Sequence, residues 1–415
     1  MKFSTTNPAT GEKIREYETI DKKAAIVIAK DVNHAQLTWR TISLAERSSY
    51  LKKLAQVLRK NKQPCAASIA AEMGKPITQA IAEIEKCANL ADYIADNGAA
   101  MLNEEMVQTE AKKSYIRFDP LGTILCIMPW NFPFWQALRF AIPSIFVGNT
   151  IVLRHSNVCP QSAMNIESAF RQAGFPDNIF RTIITDHDAV PALIKSRVIH
   201  GVSFTGSTGA GAKVGQISIK HLKKVVLELG GSDPFIVLED ADIDQAARGA
   251  AQGRLINAGQ SCIAAKRFIV VKSKAQQFTD LFVKYTNEQK VGDPQELSTQ
   301  VGPVVSKKQL EALEAQIADA VKKGGRILTG GKRLNRCGFF LAPTIITDTK
   351  PSMQIVKDEV FGPIAPIIVA KDENDAVRIA NNSEFGLGAS IWTQSREKGE
   401  QIASQIEAGV VFING

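Results

Sequence analysis

Between residues 122 and 219, short apolar runs of strand length alternate with amphipathic segments of helical length. No other feature constrains the fold as strongly. Thr123–Met128, Ile151–Leu153 and Val202–Phe204 read as buried strands, with Ala163–Gln172 and Gly209–Ile219 as helices between or after them. Strands that are apolar on both faces and separated by helices assemble into a parallel sheet covered by helices. A second round begins near Glu228, with strands at Pro234–Leu238, Phe268–Val271 and Ile364–Val369 and helices at Gln276–Gln289 and Lys307–Lys323. The 415 residues exceed what one hydrophobic core holds, so two α/β domains are expected. Roughly the first hundred residues read mainly as helix, in Ala24–His34, Ala45–Lys60 and Ile77–Asn97. A short strand is read at Tyr115–Phe118, before the turn Pro120-Leu121-Gly122.

Other classes are excluded by what the chain lacks. No stretch approaches the roughly 18 uncharged apolar residues of a membrane span, and the first eight residues carry no apolar signal-peptide core, so the cytoplasm is the expected compartment. The net charge of +8 is spread along the chain without a long basic run or a nucleic-acid-binding signature, which points to a solvated surface and no nucleic-acid partner. Cys65, Cys87, Cys126, Cys159, Cys262 and Cys337 include no CxxC pair and no metal-ligand spacing; no metal is expected, and most of the thiols read as small buried hydrophobes. The segment Gly409–Gly415 opens a strand with a turn signal and then stops, which suggests a truncated chain.

One cysteine differs in its surroundings. Gly259-Gln260-Ser261-Cys262 places a thiol in a small polar turn rather than on an apolar helix face. A cysteine needs a base or a positive field to become an effective nucleophile. Leu227-Glu228-Leu229-Gly230-Gly231 puts a carboxylate at what reads as an apolar strand end, a costly place unless the group is protonated or partnered, and one that suits a general base. The adjacent glycines argue for close approach of another group rather than a plain salt bridge. In Pro129-Trp130-Asn131-Phe132-Pro133 two prolines fix a turn and leave the Asn131 amide as a donor for an oxyanion. Phe204-Thr205-Gly206-Ser207-Thr208-Gly209 runs from strand into helix, where backbone amides can meet phosphate.

Taken together, these motifs resemble the aldehyde dehydrogenase superfamily, from Asn7-Pro8-Ala9-Thr10-Gly11-Glu12 to Val411-Phe412-Ile413-Asn414-Gly415. Cys262 follows Glu228 by 34 positions, the spacing of that family's nucleophile and base, and Glu359-Val360-Phe361-Gly362-Pro363 resembles its E-x-F-G-P element. The resemblance implies two open, twisted, mostly parallel α/β domains plus a small bridging β element. Residues 1–108 and 119–228 would bind a dinucleotide, 229–412 would carry the nucleophile, and 109–118 would belong to an oligomerisation element whose partner strands follow 415. It also implies that Cys262 attacks an aldehyde, that the Asn131 amide and the Cys262 N–H hold the oxyanion, and that Glu228 activates water. Trp130, Gly206, Ser207, Leu229, Glu359 and Phe361 would contact the cofactor, and the complete protein would be a homodimer or homotetramer.

Two positions bear on specificity. Arg154 and Asn157 fall at the family's adenosine-ribose contacts, where NAD-specific members often carry a glutamate at the place of Asn157; NADP, or use of both cofactors, is expected. The stretches Pro129–Arg139, Leu227–Pro234 and Gln260–Arg267 look most similar to a short succinate-semialdehyde dehydrogenase branch, with Arg139 as the anchor of a distal carboxylate or, alternatively, a buried structural cation beside Glu228. Oxidation of another small aldehyde such as lactaldehyde, or an inactive relic, are the competing readings.

Overall fold

The computed structural model describes residues 2–415. They form two compact units, one of residues 2–6, 13–72 and 80–229 and the other of residues 7–12, 73–79 and 230–415.

The sheet of the first unit contains β1 (Thr123–Met128), β2 (Thr150–His155), β3 (Phe180–Thr182), β4 (Gly201–Thr205) and β5 (Lys224–Glu228). Its order is β3-β2-β1-β4-β5, and every neighbouring pair is parallel. Strands β1, β2 and β4 are buried throughout, which explains their uninterrupted apolar runs. On one face Leu125, Val152 and Val202 pack with Ala25, Ala29 and Val32 of helix Lys22–Trp39. That helix begins where the Asp21 side chain accepts the Ala24 N–H, and its buried positions recur every three or four residues. Strand order reverses between β1 and β4; in open parallel sheets, ligands bind beyond the carboxyl ends at such a point.

The edge strand β5 corrects one expectation. Its residues are exposed or half-buried, and Val226 is 50% exposed, so Glu228 ends an open edge strand rather than an apolar one.

Glu72, in contrast, is deeply buried at the end of helix Lys62–Met73. Its carboxylate accepts the N–H groups of Gln161 and Ser162 at 2.7 and 3.0 Å and the Ser162 hydroxyl at 2.6 Å, capping helix Pro160–Gln172, whose N-cap Cys159 makes no side-chain cap bond. Burial pushes Glu72 up to about 7, and these hydrogen bonds oppose the shift only in part. A carboxyl that holds its proton more tightly when folded makes the folded state lose stability as pH rises from the usual carboxylate range to about 7. Glu72→Gln removes that slope. The Tm of the variant minus that of the wild type is therefore expected to increase between pH 5 and pH 7.5, by about 4 °C or more; a constant difference in thermal melts across that range would refute the account.

The second unit holds a seven-stranded sheet of β6 (Asp233–Val237), β7 (Ala265–Val271), β8 (Arg326–Thr329), β9 (Thr344–Thr347), β10 (Ile364–Ala370), β11 (Gly388–Trp392) and β12 (Val410–Ile413), in the order β8-β9-β10-β7-β6-β11-β12. Only β8 pairs antiparallel. Phe235, Phe268, Phe278 and Phe282 pack with tilted rings in its core, together with the alanines of helix Ile243–Leu255.

Two short antiparallel pairs complete the described residues. Lys2–Thr6 pairs with Lys13–Glu18, a hairpin within the stretch read as mainly helical. Tyr115–Ile116 pairs with Glu105–Met106. Among the described residues no helix is long and apolar enough to cross a membrane.

Candidate active site

In the first unit the candidate residues follow the carboxyl ends of adjacent strands. The turn after β1 leads into helix α1 (Pro133–Val147), which starts on a proline and has no side-chain cap from Phe132. Buried Glu83 takes the place of the cap: one of its oxygens accepts the N–H groups of Phe134 and Trp135 at 2.9 and 3.0 Å, fixing the turn that carries Trp130 and Asn131. Asn131 is buried and Trp130 half-buried. Arg139 projects from the second turn of α1 and pairs with Glu228, Nη2 to Oε2 at 3.2 Å, with side-chain exposures of 31% and 41%. Glu228 is thus ion-paired, against the expectation drawn from its glycine neighbours; Arg139 lies beside it, but partly exposed rather than buried.

After β4, the Gly206 N–H donates to the Glu228 carbonyl at 3.0 Å, joining the glycine turn to the end of β5. Helix α2 (Thr208–Lys220) follows, with Ser207 at its N-cap and no side-chain cap bond. Its exposed first turn gives a positive helix end facing outward, and a Cβ built on Gly209 meets nothing within 4 Å. A Cβ on Gly211 would lie 2.3 Å from Leu229 Cδ2, so Leu229 closes over the start of the helix. At the end of β2 Arg154 is 5% exposed; its Nη2 donates to Asn157 Oδ1 at 3.2 Å and to the Thr185 carbonyl at 3.4 Å, while its Nε is buried without a hydrogen-bond partner. An uncapped helix end and an open glycine turn fit a dinucleotide phosphate group. Arg154 is more enclosed than a side chain reaching out to pair a phosphate bidentately, and half-buried Asn157 is the group it supports at the surface.

In the second unit the candidate residues precede their strands. Gly230-Gly231 lead into β6, Cys262 into β7 and Glu359–Phe361 into β10, and β10, β7 and β6 are neighbours. The glycines permit this convergence: a Cβ on Gly231 would lie 2.5 Å from the Cys262 carbonyl, and one on Gly230 would lie 2.5 Å from Glu359 Oε2. Glu359 Oε1 accepts the Gly231 N–H at 3.2 Å, and burial raises its carboxyl above the usual range. Asn257 and Ala258, just before the turn of Cys262, both have φ of +53°, a costly conformation for residues with side chains.

Gln79 Oε1 accepts the Asn257 N–H at 2.8 Å and Asn257 and Gln260 exchange side-chain-to-carbonyl bonds at 3.1 Å, while a buried arginine and a buried lysine hold the residues that follow. Arg254 donates to the carbonyls of Gly259, Val360 and Gly362 at 2.7, 3.1 and 2.6 Å, tying the cysteine turn to the segment of Glu359 and Phe361. Gln260 Oε1 accepts the Val305 N–H at 2.8 Å, and Gln309 Nε2 donates to the Phe361 carbonyl at 2.9 Å. Lys266 donates to three carbonyls of the turn itself. Glu83, Arg254 and Lys266 lie outside the motifs of Cys262, Glu228 and Asn131; the one signal is the pair Lys266-Arg267 in a strand otherwise apolar. Cys262 is partly exposed, whereas Cys65, Cys87, Cys126 and Cys159 are buried and Cys337 is exposed. Among the described residues no group of His, Cys, Asp and Glu side chains is placed to hold a metal ion.

Comparison with known proteins agrees with this arrangement. The model of the aldehyde dehydrogenase family matches residues 1–415. A probable succinate-semialdehyde dehydrogenase [NADP(+)] of Synechocystis sp. is 40% identical, the match covering 100% of this chain and 91% of that protein. A succinate semialdehyde dehydrogenase [NAD(P)+] of Escherichia coli is 41% identical, with 99% and 88% covered. The crystal structure of succinic semialdehyde dehydrogenase from Streptococcus pyogenes with NADP+ superposes with a TM-score of 0.97 at 34% identity, covering 100% of this chain and 91% of that one. The chain belongs to the aldehyde dehydrogenase family.

Proposed function

We propose that this enzyme oxidises succinate semialdehyde to succinate with NADP, or with either NADP or NAD, and that Cys262, Glu228 and Asn131 carry the reaction. The observation that most supports the substrate is Arg139, a partly exposed cation at the end of the first-unit sheet whose carboxylate partner, Glu228, is itself a candidate catalytic group. The names of the relatives point the same way. In this reading Cys262 attacks the aldehyde carbon and forms a thiohemiacetal, while the Asn131 amide and the Cys262 N–H stabilise the oxyanion. When bound, the dinucleotide supplies the acceptor for the hydride released as the thiohemiacetal becomes a thioester. Glu228 then takes a proton from the water that hydrolyses the thioester.

Trp130, Gly206, Ser207 and the first turn of α2 would hold the cofactor phosphates, Leu229 would cover that turn, and Glu359 and Phe361 would meet the nicotinamide end. Asn157, held at the surface by the charged Arg154 beneath it, would face the 2′-phosphate. Asn157→Glu should pair with Arg154 and repel that phosphate, shifting the ratio of kcat/KM for NADP over NAD towards NAD by about 10- to 100-fold, on the scale of one or two charge-assisted contacts. An unchanged ratio in initial-rate assays would remove Arg154 and Asn157 from the cofactor site. The exposed apolar ribbon of Met106, Tyr115, Ile116 and Phe118 supports assembly into a homodimer or homotetramer, and the cytoplasm remains the proposed compartment. The function is tested by recording reduced-nicotinamide absorbance with succinate semialdehyde and each cofactor; no reduction with either would refute it.

A further inference from the structure

We propose that Lys266 is a positioning residue for the nucleophile, aiming the peptide that carries the Cys262 N–H and holding a positive charge against the Cys262 carbonyl, 2.7 Å away. The inference rests on the assignment of Cys262 above. Lys266 is the second residue of β7, and its side chain has 0% exposure. An enclosed ammonium is costly unless its three donors are all used. Here they go to the carbonyls of Ser261, Cys262 and Ala264, at 2.8, 2.7 and 3.3 Å. Neighbouring Arg267 points to the other face of the strand and donates to the carbonyls of Ser232, Ile379 and Ala380, away from the turn. Lys266 alone of the two is dedicated to the cysteine turn.

The consequence follows from peptide geometry. In a trans peptide the carbonyl and the next N–H point in opposite directions. With the Ser261 carbonyl drawn to Lys266, the Cys262 N–H faces away from the lysine, and the Cys262 carbonyl likewise turns the Ile263 N–H away. One ammonium therefore fixes two successive amides on the opposite side of the turn. A methionine of similar length would fill the same space without doing so.

The charges facing Lys266 come from each element packed on it: Glu359 at 3.7 Å, Asp233 at the start of β6, Arg254 of the preceding helix, and Cys262. Burial pushes the ammonium down to about 8 and Arg254 adds to that, while Glu359, Asp233 and the Cys262 thiolate favour its charge. The last influence is mutual: a thiolate that stabilises the ammonium is stabilised by it.

The test compares the wild type with Lys266→Met, Lys266→Gln and Lys266→Arg in the full chain. Alkylation by iodoacetamide is followed between pH 6 and pH 10 through the mass of the peptide containing Cys262, and kcat is measured with succinate semialdehyde and NADP. In the uncharged variants alkylation at pH 7 should slow about 10-fold, its midpoint moving up by about one pH unit. Their kcat should fall about 100-fold, as when an oxyanion donor is lost, with the KM for NADP little changed. Lys266→Arg should keep the alkylation midpoint and lose kcat. A role confined to packing would lower Tm and leave the alkylation profile in place. An unmoved midpoint in folded Lys266→Gln overturns the proposal, as does failure of all three variants to fold, which would make Lys266 a core residue only. Activity in Cys262→Ala would instead overturn the nucleophile assignment itself.

Discussion

Cys262→Ala is expected to lower NADP-linked oxidation of succinate semialdehyde by about 10⁴-fold or more while leaving the fold intact. Removing a covalent nucleophile deletes both the thiohemiacetal and the thioester, and in other enzymes such deletions cost about 10⁴- to 10⁶-fold in kcat. The side chain is partly exposed, and its removal leaves the buried framework of the turn in place, since Arg254, Gln260 and Lys266 hold it through backbone groups. Thermal melts should therefore overlay those of the wild type to within about 2 °C. Cys337→Ser serves as the control: that thiol is exposed, stands outside every candidate site and should leave the rate unchanged. More than about one per cent residual activity in Cys262→Ala, with contaminating enzyme excluded by its KM, would end the covalent mechanism.

The parts of the fold that sequence described best are those with a two-sided apolar environment. Strand β1 is legible to the residue, and β2, β4 and β7 to within a few positions, because burial on both faces leaves an unbroken hydrophobic run. Four strands that are very short, small in side chain or exposed on most positions give no comparable signal. Phe180–Thr182 is three residues long, Gly388–Trp392 opens Gly-Ala-Ser, and in the hairpin of Lys2–Thr6 and Lys13–Glu18 only Thr5 and Tyr17 are buried. These strands exist because a neighbouring strand is available to pair with, a non-local fact.

The candidate site divides along the same line. Cys262, Glu228, Asn131 and Ser207 sit in compact motifs whose glycines and prolines announce a special backbone. Their supports do not: Glu83 caps a helix 51 positions away, and Arg254 spans 108 positions to Gly362. Each acts on backbone amides or carbonyls, and no residue type at the receiving end records it. The glycines of Gly230-Gly231 were correctly read as permitting close approach, yet the approaching groups are the Cys262 carbonyl and the Glu359 carboxylate rather than a partner of Glu228.

Arg139→Leu is expected to reduce kcat/KM for succinate semialdehyde by about 10- to 100-fold more than kcat/KM for butyraldehyde. The prediction separates two consequences of one ion pair. Arg139 is the proposed anchor of the distal carboxylate, and a charge-assisted contact of that kind contributes about 1.5–3 kcal/mol. It is also the partner of Glu228 at 3.2 Å, so its loss leaves the proposed base without its cation whichever aldehyde is bound. Butyraldehyde has no distal charge and reports the second effect alone; the excess loss with succinate semialdehyde isolates the first. Both side chains are partly exposed, so water can solvate Glu228 once Arg139 is gone, and the loss common to both aldehydes should be the smaller one. A substrate carboxylate that binds Arg139 must compete with Glu228 for the same guanidinium, and the KM for succinate semialdehyde should therefore fall in Glu228→Gln, even as turnover collapses. Equal losses for the two aldehydes in Arg139→Leu would show Arg139 to be a support for Glu228 only, and the substrate would then have to be sought among uncharged aldehydes.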